Sequence, residues 1–487
     1  MKKIFALILI IAMLIPFVVA CSSGEETTTE NIDYDKFTSK DTVKKDWEGE
    51  TLLVAATTWG GSPAYPWSTM ELVIKEGETS GWGEKIDKAV LERTAYIKAT
   101  YGVDVIWEWA SRYNTHDVLK NAIAAGNDPD YDLAMPRNFR AQAIVANGSV
   151  YDMANRPYIN FNNSYYNQGS IEAYTAQGHT FFITGDFSNY DKELVRVMYF
   201  NKNLLGGDEE ANKLYQLVRD GKWTWDKFLT YATLYIDNGD GRVNDSDTYG
   251  LYSIFRGELN EFFGIKRAGV NKATGEWEIT LNVPQINDVI SIMLELDKAK
   301  WSRNSYGGGW GYSNTDSFFE DKILFMNYDI YGYHQRAIND YGENVGVIPF
   351  PMLNEEQGRY YAPSIGRQIT LMCVPKTTSD RNMSDYFIDV LAWTGKEYVM
   401  EPYFEDLYNY FSSDANKEML DKYIFPNISY DVGAAVGWGV ILGSVFNYYS
   451  YGGGEREMRF EENYAKGEPE ALETIKQWNE AWGGYTE

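Results

Sequence analysis

Between Thr51 and Asn138 the chain switches four times between strand-like and helix-like patterning, and that alternation narrows its fold more than any other feature. "TLLVAATTW" (Thr51 to Trp59) is β-rich, apolar and flanked by polar and glycine residues, as a buried strand is. From Glu84 to Tyr101 apolar residues fall at Ile86, Val90, Ala95 and Ile97, near helical spacing, and Gly102 closes the helix. "VDVIWEW" (Val103 to Trp109) alternates as a strand does. A helix follows from about Asp117 to Ala125, closed by Gly126, and "DYDLAMPRN" (Asp130 to Asn138) supplies a third strand. The order β-α-β-α-β gives a parallel sheet with covering helices.

The middle of the chain continues in that style. "TFFITGD" (Thr180 to Asp186) and "LVRVMYFNK" (Leu194 to Lys202) read as strands separated by a turn. Thr224 is placed to cap a helix running to about Tyr235, with Trp223 and Trp225 as packing residues at its start. Pro284 opens a helix to about Lys300. Lys322 to Tyr328, Asn344 to Pro351 and Arg367 to Lys376 are further strands. From Ser384 the pattern is helical: Ser384 to Trp393, Lys396 to Tyr408, Asp414 to Tyr423 and Glu455 to about Trp482. No internal repeat has a fixed period.

The first residues bear on where such a chain folds. Lys2 and Lys3 precede an apolar run, Ile4 to Ala20, too short for a comfortable membrane span. Val18-Val19-Ala20-Cys21 resembles a bacterial lipobox, in which the cysteine thiol is acylated before the signal is removed. The competing readings are an ordinary signal peptide or a short anchor helix. Residues 21–46 are polar and acidic enough to form an unfolded tether behind Cys21. The expectation is export and attachment by lipid to the outer face of the cytoplasmic membrane. With 70 Asp and Glu against 44 Lys and Arg, the net charge of −26 argues against nucleic acid and anionic lipid heads as partners. Cys373 is the one other cysteine, so no disulfide framework forms and packing alone holds the fold.

The lipobox and acidic tether, "YGVDV", "GNDPDYDLAM", "DGKWTWDKF", "NGDGRVNDSDTYGL", "GVIPFPM" and "CVPKTT" occur in the order seen in family 1, maltose-binding-like extracellular solute-binding proteins. "EPYFEDLYNY" and "YDVGAAVGWG" resemble the C-terminal part of such lipoproteins from Gram-positive gut bacteria. The resemblance implies an α/β, two-lobed periplasmic-binding-protein-like fold of type II with a helix-rich C-terminal part. It places lobe one at 47–145 and 285–335, and lobe two at 146–284 and 336–487. It implies a monomer that holds a sugar or oligosaccharide between the lobes and delivers it to the permease of an ABC importer.

A sugar presents apolar C–H faces and a rim of hydroxyls, so a cleft for it needs flat aromatics and groups able to make planar hydrogen bonds. Such residues belong on loops after strand C-termini. That rule selects Trp59, Arg137, Asn138, Asp186, Tyr328 and Asp329; Arg256 and Arg367 follow from their positions between elements, and Trp438 from its flanking glycines and the resemblance. For each, ordinary packing is an equally good account.

"IDNGDGRVNDSD" (Ile236 to Asp247) resembles an EF-hand or dockerin calcium loop, with Gly241 at the sharp turn and Asn238, Asp240, Asn244 and Asp247 at oxygen-ligand positions. Ile236 stands where an Asp is expected, and a polar helix-to-strand turn that needs no ion is the competing account. No cofactor is required; structural calcium is the one ion the pattern admits. HExxH, GxSxG, P-loop and dinucleotide motifs are missing, and His116, His179 and His334 lack metal spacing. The chain therefore reads as a binder and not an enzyme. A binder of peptides or another polar solute, or a surface glycoside hydrolase, are the alternatives.

Overall fold

The computed structural model describes residues 37–58, 74, 83–111, 115–244, 246–253, 259–281, 283–304, 316–334, 342–364, 369–435 and 460–486. Strand β1 (Thr51–Thr58) lies between β2 (Asp104–Ser111) and β3 (Leu133–Met135), all parallel, with Thr51 level with Asp104 and Val54 level with Leu133. Leu52, Val54, Ala55 and Ala56 are buried, the near-continuous apolar run of a central parallel strand. The helix Glu84–Tyr101 covers this sheet with Ile86, Val90 and Ile97. It ends where Gly102 turns left-handed at φ 75° and donates its N–H to Lys98 O. A side chain there would strike Glu48, whose Cγ lies 2.5 Å from the position of a Cβ.

The first sheet does not end at β3. Ala134 pairs with Cys373, Arg137 with Thr370, and Val374–Pro375 with Val150–Tyr151, so the stretch 370–375 runs antiparallel beside β3. Cys373 is fully buried, its thiol pushed far up by burial.

A second sheet has the order Ser302–Asn304, Thr248–Ser253, Ile323–Asp329, Arg196–Asn201, Val345–Ile348, with Tyr235–Ile236 beside Thr248–Ser253. Ile323–Asp329 runs parallel to Thr248–Ser253 and antiparallel to Arg196–Asn201. Every residue of Ile323–Asp329 is buried. The expected assignment of 285–335 to the first lobe is therefore corrected: backbone pairing places its strand in the middle of the other sheet. The stretch 369–394, expected in lobe two, in turn supplies the first sheet with its added strand and with the helix Arg381–Thr394 behind it. Adjacent pairing decided this, and pairing between distant segments leaves no mark on composition. Trp223 and Trp225 are core residues as expected.

Thr180–Asp186 is not a strand beyond Thr180 (His179–Thr180), apart from single bridges at Ile183 and Gly185. Its apolar residues Phe181, Phe182 and Ile183 are buried because the chain here leaves one sheet for the other. The tether expected through 46 also ends earlier. Phe37, Ser39 and Trp47 are buried, and Asp389 in the helix Arg381–Thr394 accepts Ser39 N–H at 3.0 Å and Ser39 Oγ–H at 2.7 Å. Trp47 Nε1 donates to Asp380 at 2.7 Å. Helices Arg381–Thr394, Glu401–Tyr410 and Phe460–Gly483 dominate the C-terminal part, as expected. Among the described residues no helix is long and apolar enough to cross a membrane.

Candidate functional site

One face of the second sheet changes character along its strands. Leu251, Phe325 and Phe200 are level with one another and apolar; two residues on, Ser253 stands level with Asn327, and beyond it Asp329 faces Arg196. By the two-residue period these side chains share one face, so the sheet ends in a polar row made by the C-termini of Thr248–Ser253 and Ile323–Asp329 and the start of Arg196–Asn201. All four polar residues are buried. Burial pushes the Asp329 carboxyl up to about 6, although the Gly332 N–H at 2.5 Å and the Arg196 charge pull it back. Arg267 Nη1 bridges Glu261 at 2.9 Å and Asp431 at 2.7 Å inside the protein, and the Arg196 charge also acts on Glu261. Burial raises Glu261, with Arg267 opposing it.

The first sheet contributes from the C-terminal end of β3. Arg137 and Asn138 follow Pro136 and are fully buried. The Arg137 guanidinium lies 4.2 Å from the centroid of the Tyr190 ring, and its Nη1 donates to Thr370 Oγ1. Asn138 N–H is held by Ile369 O at 2.9 Å.

Tyr190 belongs to a segment that joins the sheets. Ile183 pairs with Met372 in the first, while Val195 pairs with Ser364 at the edge of the second. The crossing between them carries Asp186, bound to Lys192 Nζ at 2.9 Å, and Asp191, 3.4 Å from the same ammonium. Burial draws Lys192 down, but the two carboxylates outweigh it and hold the ammonium charged; burial raises Asp186 against the pull of Lys192. Asn189, also on this crossing, is fully buried, and neither atom of its amide has a hydrogen-bond partner among the described residues. The hydroxyls of Ser253 and Ser364 are likewise buried without one. The chain crosses again between Ile348 in the second sheet and Thr370 in the first.

Of the residues selected from the sequence, the structure brings Arg137 and Asn138 to the junction from one side and Asp329 from the other. Tyr328 is buried on the opposite face of the same strand from Asp329, and a Cβ on Gly332 would collide with its ring. Asp186 sits in the crossing, bound to Lys192. Trp59, Arg256, Arg367, Trp438 and Cys21 lie outside the described residues. Sequence reasoning missed Ser253, which ends a strand and was open to the same rule. It also missed Asn189 and Tyr190, because it read that stretch as a turn separating two strands, and Arg196, which it placed inside the second strand without a site role.

The loop expected to hold calcium lies between Tyr235–Ile236 and Thr248–Ser253. Its key residue is Asp247. Oδ1 accepts Asn238 N–H at 3.0 Å and Oδ2 accepts Asn244 N–H at 2.9 Å, with Tyr235 and Tyr249 hydroxyls close by. These two N–H groups hold the Asp247 carboxyl below its usual range. Asp240 accepts from Arg242 N–H and Asn244 Nδ2, both at 2.7 Å. The loop's own donors thus occupy the oxygens that calcium would use, and an ion would have to displace them.

No family model matches the chain, and no curated relative does. Solved structures do match. A cyclo/maltodextrin-binding protein complexed with maltotetraose superposes with a TM-score of 0.54 at 11% identity, covering 88% of this chain and 96% of that one. The sugar-binding protein MalE of the phytopathogen Xanthomonas citri gives 0.55 at 11% identity, covering 90% and 100%. At that identity the likeness is one of architecture: the chain has the two-lobed, periplasmic-binding-protein-like α/β fold, in the form that these sugar-binding proteins take.

Proposed function

We propose that this protein captures a sugar or oligosaccharide between its lobes and delivers it to an ABC importer, without chemical conversion. The observation that carries the reading is the junction itself. In a fold shared with sugar-binding proteins, the strand C-termini of both sheets converge on a buried band of neutral and charge-balanced polar groups. Hydroxyl groups, each a donor and an acceptor, suit such a band. A thermal-shift panel of neutral oligosaccharides and short peptides tests it. A sugar that raises the melting temperature by mass action and is recovered intact supports capture. A response confined to peptides moves the protein to another solute class, and release of a shorter sugar makes it a hydrolase.

The same reading anchors the chain through a lipid on Cys21. Mass spectrometry of the protein made in a lipoprotein-processing bacterium should find a diacylated cysteine, since one acyl chain holds only marginally. Cys21→Ser should then accumulate as precursor or be released. An unmodified wild-type Cys21 refutes the anchor and leaves sugar capture standing.

A further inference from the structure

Asn189 is the least explained polar group in the junction. It is wholly buried and stands at the N-cap of Tyr190–Glu193, yet its side chain makes no capping bond. Asn at that position ordinarily turns its side-chain oxygen onto the helix amides. Here Ser188 Oγ takes that place, accepting Tyr190 N–H at 3.1 Å. Among the described residues the Asn189 amide has neither a donor nor an acceptor. A buried amide in that state is strongly disfavoured against the same amide in water. Its place is telling: it lies on the crossing between sheets, beside Tyr190 under Arg137, and six residues before Val195 reaches its pairing with Ser364.

We infer that Asn189 couples closure of the lobes to occupancy of the cleft, by making the closed form unfavourable unless a neutral, hydroxyl-bearing solute supplies its hydrogen bonds. The inference rests on the sugar-capture reading and extends it to how the empty protein is kept open. With the lobes apart, water serves the amide. With the lobes together around a sugar, a hydroxyl both donates to its oxygen and accepts from its nitrogen. With the lobes together around nothing, neither is available. A solute shifts a two-state equilibrium only by its difference in affinity for the two states, and Asn189 widens that difference by penalising the empty closed form. An uncharged amide can donate to and accept from one hydroxyl, and carries no full charge to offset the desolvation of a carboxylate or an ammonium.

The test compares wild type with Asn189→Leu, close in volume and without polar atoms, and with Asn189→Ala in case the larger apolar group disturbs folding. Dyes on Lys88→Cys and Lys213→Cys, exposed positions on the two lobes, report the closed fraction by single-molecule energy transfer. Without ligand, the variants should shift the closed-to-open ratio toward closed by about tenfold and melt no lower than wild type. Maltotetraose affinity should fall only a few-fold, because the lost hydrogen bonds and the lost penalty offset each other, and maltotetraose should close the variants less than it closes wild type. An unliganded closed fraction equal to wild type, or melting several degrees lower, overturns the inference: the amide would then be an ordinary structural group. If wild type does not bind maltotetraose, capture of that sugar fails, while the unliganded comparison still decides the role of Asn189.

Discussion

Arg137 and Tyr190 meet across the boundary between the two sheets, the guanidinium carbon 4.2 Å from the ring centroid and both side chains sealed from solvent. Arg137 comes from the end of β3 and Tyr190 from the crossing segment, so the pair ties the crossing segment to the first sheet. A desolvated cation over an aromatic face is worth about 2 kcal/mol, and lysine cannot keep both the stack and the Thr370 contact. Arg137→Lys should therefore lower unfolding stability by about 1–3 kcal/mol in denaturant titrations. Unchanged stability with weakened sugar binding in calorimetry would instead put the guanidinium on the ligand.

Asp329 makes stability depend on pH. Burial lifts its carboxyl from 3.8 to about 6 in the folded protein, so the folded state holds the proton more tightly than the unfolded chain. Its contribution is complete below about pH 4 and is lost as pH rises through 6. The lost stability is on the order of 3 kcal/mol at most. Thermal unfolding between pH 4 and 7 should show a slope of that sign, and Asp329→Asn should flatten it. A slope that survives the substitution would trace to other carboxyls, of which Asp132, also at about 6, is the first to examine.

For the loop ending at Asp247, calcium binding and closure by its own hydrogen bonds predict different things. The bonds from Asn238 and Asn244 favour self-closure. Asp247→Ala should lower the melting temperature by a few degrees, Asp240→Ala by less, and chelator should not affect wild type. A chelator-induced drop that Asp240→Ala abolishes, with calcium found by elemental analysis, would establish the ion.

Asp389 fastens the N-terminal segment to the body. Besides the two bonds from Ser39, it accepts Tyr165 Oη–H at 2.8 Å and Tyr166 Oη–H at 2.9 Å. Asp389→Ala leaves these buried donors without their acceptor and should cost on the order of 3 kcal/mol. The same change should expose residues 37–47 to limited proteolysis under conditions where the wild type resists. Cleavage at equal rates in both proteins would mean that the segment is held by its aromatic packing, Phe37 and Trp47 against Tyr158 and Tyr386, and not by the carboxylate.

The sequence by itself determined the local elements whose cause is local. The apolar run of β1, the helical spacing closed by Gly102, the buried Trp223 and Trp225 and the helix-rich C-terminal part all follow from patterns within a few residues. The positions of Arg137, Asn138 and Asp329 at strand ends were readable too, because each follows or ends a patterned strand. Tertiary structure alone decided which strands share a sheet. Ile323–Asp329 reads the same beside β3 as beside Arg196–Asn201, since an all-buried strand carries no mark of its neighbours. It likewise decided that Phe181 to Ile183 are buried in a crossing, that Phe37 to Trp47 are folded onto Asp389, and that Asn189 is sealed from water without a partner. Each of these depends on groups brought together from distant parts of the chain, and no window of sequence contains both halves of such a contact.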